Sequence, residues 1–219
     1  MKSSPEPHPR FRRRFGWIAV LQFFGLPAAD AYTVGITPGT RALFLQVGAG
    51  TMTGGSFNSG GVPGNNTSVN TASVTIPAGQ LGMGNTLQMT TNSAVTASPW
   101  DNFAFCTSPA TTGQVYVGGF YRVPGSSGAA ATLSVTTPPN LTSSSGETIP
   151  FNRISWTSSG NSDNTPTIPS GAFVGSAQTL LSVARNSWFE SCLAFSYLNT
   201  QLVPAGTFTG TATFTLTAP

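Results

Sequence analysis

Alternation of apolar and polar residues predicts that this chain is built from short β-strands. The clearest case is the C-terminus, where every second residue from 207 to 217 is threonine and the residues between them are apolar or glycine. A period of two is that of a strand with one buried face, and threonine suits the other face. Similar alternating or apolar segments occupy residues 42–47, 71–76, 115–120, 133–135 and 151–156. Residues 177–184 fit either a strand or one short helix.

The segments between these strands are rich in glycine, serine, asparagine and proline, which favours surface loops. The longest loops are expected at residues 50–68 and 157–171. No segment after residue 31 has the length and caps of an ordinary helix. Many short strands separated by frequent turns predict an all-β fold, an antiparallel β-sandwich, and we expect residues 32–219 to form a single domain.

Residues 1–31 are predicted to be an export signal. Lys2 and four arginines between positions 10 and 14 precede an apolar run at 15–26, and an Ala-x-Ala cleavage site ends before Tyr32. The apolar run is too short to cross a bilayer, so no transmembrane segment is expected after signal removal. A buried N-terminal helix is the alternative, but it leaves the five basic residues unexplained. The basic run also resembles part of a twin-arginine signal, which leaves the export route open.

Removing that signal changes the charge of the protein. The complete chain has nine Lys and Arg and six Asp and Glu, giving a net charge of +3. Residues 32–219 have four arginines and four carboxylates, so 4 − 4 = 0, with no lysine and no histidine. A nucleic-acid binder needs several cations to displace counterions from phosphates. We therefore expect no nucleic-acid partner.

The same composition argues against an enzyme. Without histidine or lysine, the Ser–His–Asp and Ser–Lys schemes for activating a nucleophile are excluded. A glycosidase needs a carboxylate pair, and we interpret every available carboxylate as a surface or loop residue. These carboxylates are Asp101, Glu147, Asp163 and Glu190. The chain has too few Cys and His for a zinc site, and one loop carboxylate does not make a calcium site, so no catalytic residue, metal or cofactor is predicted.

Two cysteines remain, and in an exported protein they are expected to form one disulfide, Cys106–Cys192. A thiolate nucleophile would need a partner base. Each cysteine has the opposite parity to neighbouring aromatic residues, such as Phe103 and Phe105 before Cys106. We therefore expect residues 102–106 and 189–197 to be strands of one sheet, or of facing sheets, joined by the bond.

The larger aromatic residues allow two interpretations. In a secreted binding module they could form a platform that stacks on carbohydrate, and otherwise they pack in the core. The candidates are Trp100, Trp156, Trp188 and Tyr116. A row of rings on one solvent-exposed face would favour the platform.

The ending Pro-Ala-Gly-Thr-Phe-Thr-Gly-Thr-Ala-Thr-Phe-Thr-Leu-Thr, residues 204–217, resembles the final strand of archaic chaperone–usher pilins and of spore coat protein U-like secreted domains. This resemblance implies an immunoglobulin-like sandwich that is incomplete and is completed by a strand donated by a neighbouring subunit. It also implies a structural role, in a homopolymer forming a pilus or coat at the bacterial surface. A periplasmic chaperone and an outer-membrane usher would be the other partners.

Residues 32–50 would contain the donated strand. Two stretches have the required alternation, one with Tyr32, Val34 and Ile36, the other with Leu43, Leu45 and Val47. The alternative is that they are ordinary internal strands. The sequence thus predicts a strand-exchanging structural subunit that passes through the periplasm to the cell surface or medium. A secreted monomeric β-sandwich that binds a carbohydrate or surface ligand is the alternative function.

Overall fold

The structure, a computed structural model, describes residues 34–65, 68–106, 113–125, 127–161, 165 and 167–219. The predicted signal, Tyr32 and Asp163 lie outside these residues. The strands are β1 (Ala42–Val47), β2 (Met52–Thr53), β3 (Val62–Pro63), β4 (Ala72–Ser73), β5 (Thr86–Gln88), β6 (Thr90–Thr91), β7 (Gln114–Arg122), β8 (Ala131–Thr136), β9 (Asn140–Thr142), β10 (Thr148–Pro150), β11 (Ile154–Ser159), β12 (Gly171–Ala172), β13 (Ala177–Val183), β14 (Trp188–Leu198) and β15 (Thr213–Thr217). Single 3-10 turns lie at Ala78–Gln80 and Phe151–Arg153.

The larger sheet has the order β1-β7-β14-β11-β12, with β5 pairing with the end of β14. Its centre is the long pair β7–β14, which runs antiparallel from Trp188 opposite Phe120 to Ala194 opposite Gln114. β1 forms one edge and pairs only with β7. Apart from β11 and β12, strands that are neighbours in this sheet are far apart in sequence.

The smaller sheet has the order β13-β8-β15. Its inward residues Leu133 and Val135 are fully buried and share one hydrophobic core with Phe189 and Leu193 of β14. Two antiparallel sheets packed around a common core form an all-β, sandwich-like architecture, which confirms the fold class predicted from the alternation. Three short two-stranded ladders, β2–β3, β4–β6 and β9–β10, lie outside the two sheets.

Both faces of the central strands are buried. On β14, Phe189 and Leu193 face the smaller sheet, whereas Trp188, Glu190 and Cys192 point to the opposite face and are as well buried. β7 has the same character, with every residue from Gln114 to Tyr121 buried. The outer face of the larger sheet is therefore a second packing surface.

The strands expected at residues 42–47, 115–120 and 133–135 are confirmed, and three others are wrong in extent. Of residues 71–76 only Ala72–Ser73 form a strand, and the 3-10 turn Phe151–Arg153 precedes β11. Of residues 177–184, which fitted a strand or a short helix, Ala177–Val183 form a strand. The C-terminal strand was expected from residue 207, but it starts at Thr213. Before that, Thr209 pairs with Thr142 of β9 through two backbone hydrogen bonds of 2.9 and 3.1 Å, so the chain follows a different partner. Within the described residues, no helix has the length and apolarity needed to span a membrane.

We predict that Leu133→Ala lowers the free energy of unfolding by about 2–5 kcal/mol, because the truncation leaves a cavity between the two sheets. Leu202→Ala is the matched control, since Leu202 is 83% exposed, and it is expected to change stability by no more than about 0.5 kcal/mol. Urea unfolding of both variants checks this. Equal losses would mean that the core does not lie where the two sheets meet.

Candidate functional site

The N-terminal edge strand β1 is the element on which the predicted assembly depends. It pairs antiparallel with β7 along its whole length, from Ala42 opposite Arg122 to Val47 opposite Val117. Leu45 and Val47 pack against the sandwich core, while Ala42 and Phe44 contact a separate cluster on the other face. Because both faces of β1 make apolar contacts, it closes one side of the larger sheet.

Gly119 of β7 permits the close approach of β1, and the neighbouring Gly118 makes room for Tyr116 and for β14. Gly118 and Gly119 lie opposite Gln46 and Leu45. A Cβ at position 119 would overlap with the backbone carbonyl oxygen of Phe44, and one at position 118 would overlap with the hydroxyl of Tyr116. Neither strand could shift without breaking the ladder, so a side chain at either position would displace its neighbour.

An aromatic cluster covers the outer face where β1, β7 and β14 run side by side. Phe44, Phe120 and Trp188 are in register across the three strands, with ring centroids 5.7–5.9 Å apart. Phe57 and Trp100 add rings from the loops, and the Trp100 and Trp188 centroids are 5.3 Å apart. The ring contacts of this cluster therefore pack β1 and two loops against the central strands β7 and β14.

Residues 34–36 dock beside this cluster. Val34 accepts a 3.1 Å hydrogen bond from the backbone of Trp188, and the Ile36 backbone donates a 2.7 Å bond to Asn186. The side chains of Val34 and Ile36 are buried against Phe120 and Trp188. This short stretch thus extends the sheet next to the start of β14.

The described members of both candidate donor stretches are thus paired within their own chain. Val34 and Ile36 lie beside β14, and Leu43, Leu45 and Val47 are part of β1. Leu43 is the most exposed of the five. The structure brings the two stretches to the same side of the larger sheet, and the donation of either to a neighbour stays a prediction.

The disulfide Cys106–Cys192 is confirmed, with Cα atoms 5.3 Å apart. It anchors residues 95–106, here called the cap, to the outer face of β14. Buried Phe105 packs edge-on against Tyr116 of β7, with ring centroids 6.0 Å apart. The cap backbone also accepts hydrogen bonds from Phe57 and Asn58.

The expected strand at residues 102–106 is wrong. Asn102 and Cys106 have φ of 65° and 59°, in the left-handed region, so the chain turns at both ends of this segment. As a result Phe103 and Phe105 do not share a face, since Phe103 is 54% exposed and Phe105 is 4% exposed. Alternation over so few residues did not distinguish a strand from an irregular loop.

Glu190 corrects another expectation, because it is 1% exposed instead of lying at the surface. Its Oε2 accepts hydrogen bonds from Ser98 Oγ (2.8 Å) and Tyr116 OH (3.1 Å), and its Oε1 accepts one from Asn161 Nδ2 (2.7 Å). Glu190 alternates with Trp188 and Cys192 and therefore shares their face of an apolar strand. This pattern was the signal that could have identified Glu190 as buried.

Burial raises the pKa of the Glu190 carboxyl, and nearby Asp101 raises it further. The donors Trp188, Ser98 and Tyr116 oppose this shift without cancelling it. The indole N–H of Trp188 is buried near this carboxyl and meets no acceptor in hydrogen-bond geometry. The pKa of Tyr116 is raised well above its usual value, mainly by burial and secondly by the charge of Glu190.

Of the two interpretations of the large aromatic residues, the structure agrees with core packing and not with a carbohydrate platform. Trp156, Trp188 and Tyr116 are buried, and only Trp100 is half-buried. The indole N–H of Trp156 donates to the Pro169 carbonyl (2.9 Å), which is typical of a core tryptophan. These rings therefore pack the interior and do not form a row on one solvent-exposed face.

The remaining carboxylates are dispersed. Asp101 is half-buried in the cap and Glu147 is exposed in the β9–β10 turn. The described part of the chain has no cluster of three Cys, Asp or Glu side chains that could hold a metal ion. No family model matches this chain, and neither a curated protein nor a solved structure is significantly similar to it.

We predict that Gly119→Ala detaches β1, because the added Cβ meets backbone atoms of β1 that cannot rotate away. Backbone amides of β1 should exchange with deuterium at least about tenfold faster, while those of β8 stay protected. Gly79→Ala is the control, since nothing lies within 4 Å of its added Cβ. Unchanged deuterium exchange of the β1 amides would show that Gly119 does not control the docking of β1.

Replacing both cysteines with alanine should lower the free energy of unfolding by about 2–5 kcal/mol, because the bond closes a long loop. The sequence separation is 86 residues. Equilibrium unfolding and thiol-modification mass spectrometry check this. Two reactive thiols in the exported wild-type protein would contradict the disulfide.

Proposed function

We propose that this protein is an exported structural subunit that assembles with copies of itself by exchanging its N-terminal strand, forming a pilus or coat at the bacterial surface. The observation that carries the proposal is the position of β1, an N-terminal edge strand with a single ladder partner, β7. In this proposal the sandwich is immunoglobulin-like and incomplete without that strand.

The connectivity makes β1 separable from the rest of the fold. It precedes every other strand of the described residues, so removing it breaks no other ladder among them. A copy of β1 from a neighbouring subunit could make the same backbone hydrogen bonds to β7 and place Phe44, Leu45 and Val47 in the same positions. Exchange of an identical element between copies requires no new interface.

The chemistry of β1 supports this use. Backbone pairing gives affinity to an added strand, and alternate side chains give it specificity. Leu45 and Val47 enter the sandwich core and Phe44 enters the aromatic cluster, so an empty β1 position would leave apolar surface exposed on both faces. A periplasmic chaperone would be required to cover that surface before assembly, and an outer-membrane usher would receive the subunit.

The resemblance of residues 204–217 to the last strand of archaic chaperone–usher pilins points to the same function. The absence of net charge on residues 32–219 also suits close packing of many copies, because such copies repel one another little. No catalytic or cofactor-binding role is part of this proposal.

One observation favours a second function, that of a secreted monomeric binding module. The described N-terminal residues are already paired within their own chain, so a single subunit can satisfy these contacts without a partner. The ligand of such a module would bind elsewhere than on the buried aromatic residues.

We expect protein sheared from the producing cells to give a ladder on SDS gels without boiling, which collapses to one band on boiling. Negative-stain microscopy should show thin fibres. A single folded monomer and empty grids would support the monomeric module instead.

Deleting residues 32–50 should abolish the ladder and leave a soluble, chaperone-bound subunit. A synthetic peptide of residues 32–50 should bind this truncated subunit. The matched control peptide, carrying Leu45→Asp and Val47→Asp, should not bind, because a charge at these positions would be buried without a partner. Polymers that persist after the deletion would refute strand exchange through this segment.

A further inference from the structure

The carboxyl group of Glu190 on β14 accepts hydrogen bonds from three parts of the protein around it. Ser98 contacts it from the cap, Tyr116 from β7 and Asn161 from the loop after β11. Ser98 also accepts a 3.1 Å hydrogen bond from the backbone of Trp100, which orders the cap around this point. Ionisation of this one carboxyl group therefore changes its hydrogen bonds to all three parts.

No positive charge compensates Glu190 among the described residues around it. From the cap the facing groups are Ser98 and Asp101, from β7 Tyr116, and from the loop after β11 Asn161. On β14 itself the neighbours are Trp188 and the disulfide-bonded Cys192. Among the described residues, the only other charged group near Glu190 is thus an acid, Asp101, which disfavours a second negative charge.

We propose that Glu190 is a pH-sensitive latch: in its protonated form it holds the cap, residues 95–106, on the outer face of β7 and β14, and its ionisation loosens the cap. The argument rests on the buried, cation-free position of the carboxyl group. An ionised carboxylate here is stabilised by hydroxyl and amide dipoles, and its burial without a compensating cation among the described residues is costly.

The cap is the part that should move. Its contacts with the sheet are the packing of Phe105 and Trp100, the disulfide and the hydrogen bond from Ser98, whereas Tyr116 and Glu190 belong to the long central ladder. Because the disulfide keeps residue 106 attached, opening would be a rotation of the cap about that anchor. It would give water access to Glu190, Tyr116 and Trp188. This inference does not depend on the proposed function.

The sign of the effect follows from the raised pKa of Glu190. A folded state that binds its proton more tightly than the unfolded chain is most stable below the usual glutamate pKa, near 4.5. Stability is then lost as the pH rises from there to the pKa of the folded state. Over that interval the ratio of folded to unfolded protein should fall up to about tenfold per pH unit.

The test is urea unfolding of the mature chain at several pH values between 4 and 8, for wild type, Glu190→Gln and Glu147→Gln. Glu147→Gln makes the same chemical change at an exposed site. Wild type and Glu147→Gln should lose stability as the pH rises, whereas Glu190→Gln should lack this dependence. A slope that persists in Glu190→Gln, or that is absent from wild type, would overturn the proposal.

Deuterium exchange locates the opening and does not require the Glu190 variant to fold. In wild type the amides of Phe57 and Asn58, which donate to the cap carbonyls of Pro99 and Trp100, should lose protection as the pH rises, after correction for intrinsic exchange. Amides of β8 should keep theirs. Tyr116→Phe removes one donor to the carboxylate and should extend this loss of protection to higher pH. Equal changes at these two amides and in β8 would show that no separate latch exists.

Discussion

The antiparallel pair β7–β14 must be buried on both faces, and the remaining architecture depends on this constraint. Odd-numbered residues of β14 face the smaller sheet, but Trp188, Glu190 and Cys192 on the even-numbered face are equally inaccessible to water. A sheet buried on both faces needs a covering layer on each side. The smaller sheet supplies one layer, and the chain before β7, with its short hairpins and cap, supplies the other.

This second layer has few regular strands, so side chains and a covalent bond hold it. The aromatic cluster binds β1 and Phe57, and the disulfide and Phe105 bind the cap. Glu190 lies between these two apolar contacts, where burial protects its hydrogen bonds from competition with water. The same burial makes its negative charge unfavourable, which is why one polar contact can give the whole layer a dependence on pH.

Alternation in the sequence predicted the sandwich-like layers well, because strands such as β8 and β15 have one face in the core and one in water. It also placed Phe189 and Cys192 on opposite faces of β14 correctly. It failed in the covering layer. The turns at Asn102 and Cys106 and the burial of Glu190 are set by contacts between distant segments, which local periodicity does not encode.

The same contacts can explain a closed monomer and an exchanging polymer, because β1 pairs with β7 in the same way whether it belongs to the same chain or to a neighbour. The choice then depends on effective concentration and on the cost of releasing the strand. In the closed form, release must undo both the β1–β7 ladder and the docking of Val34 and Ile36 beside β14. Both contacts involve one continuous N-terminal segment, so they form or break together. A subunit whose N-terminal segment has not yet docked on its own sheet does not have to break either contact. The proposed strand exchange would therefore be easiest at that stage.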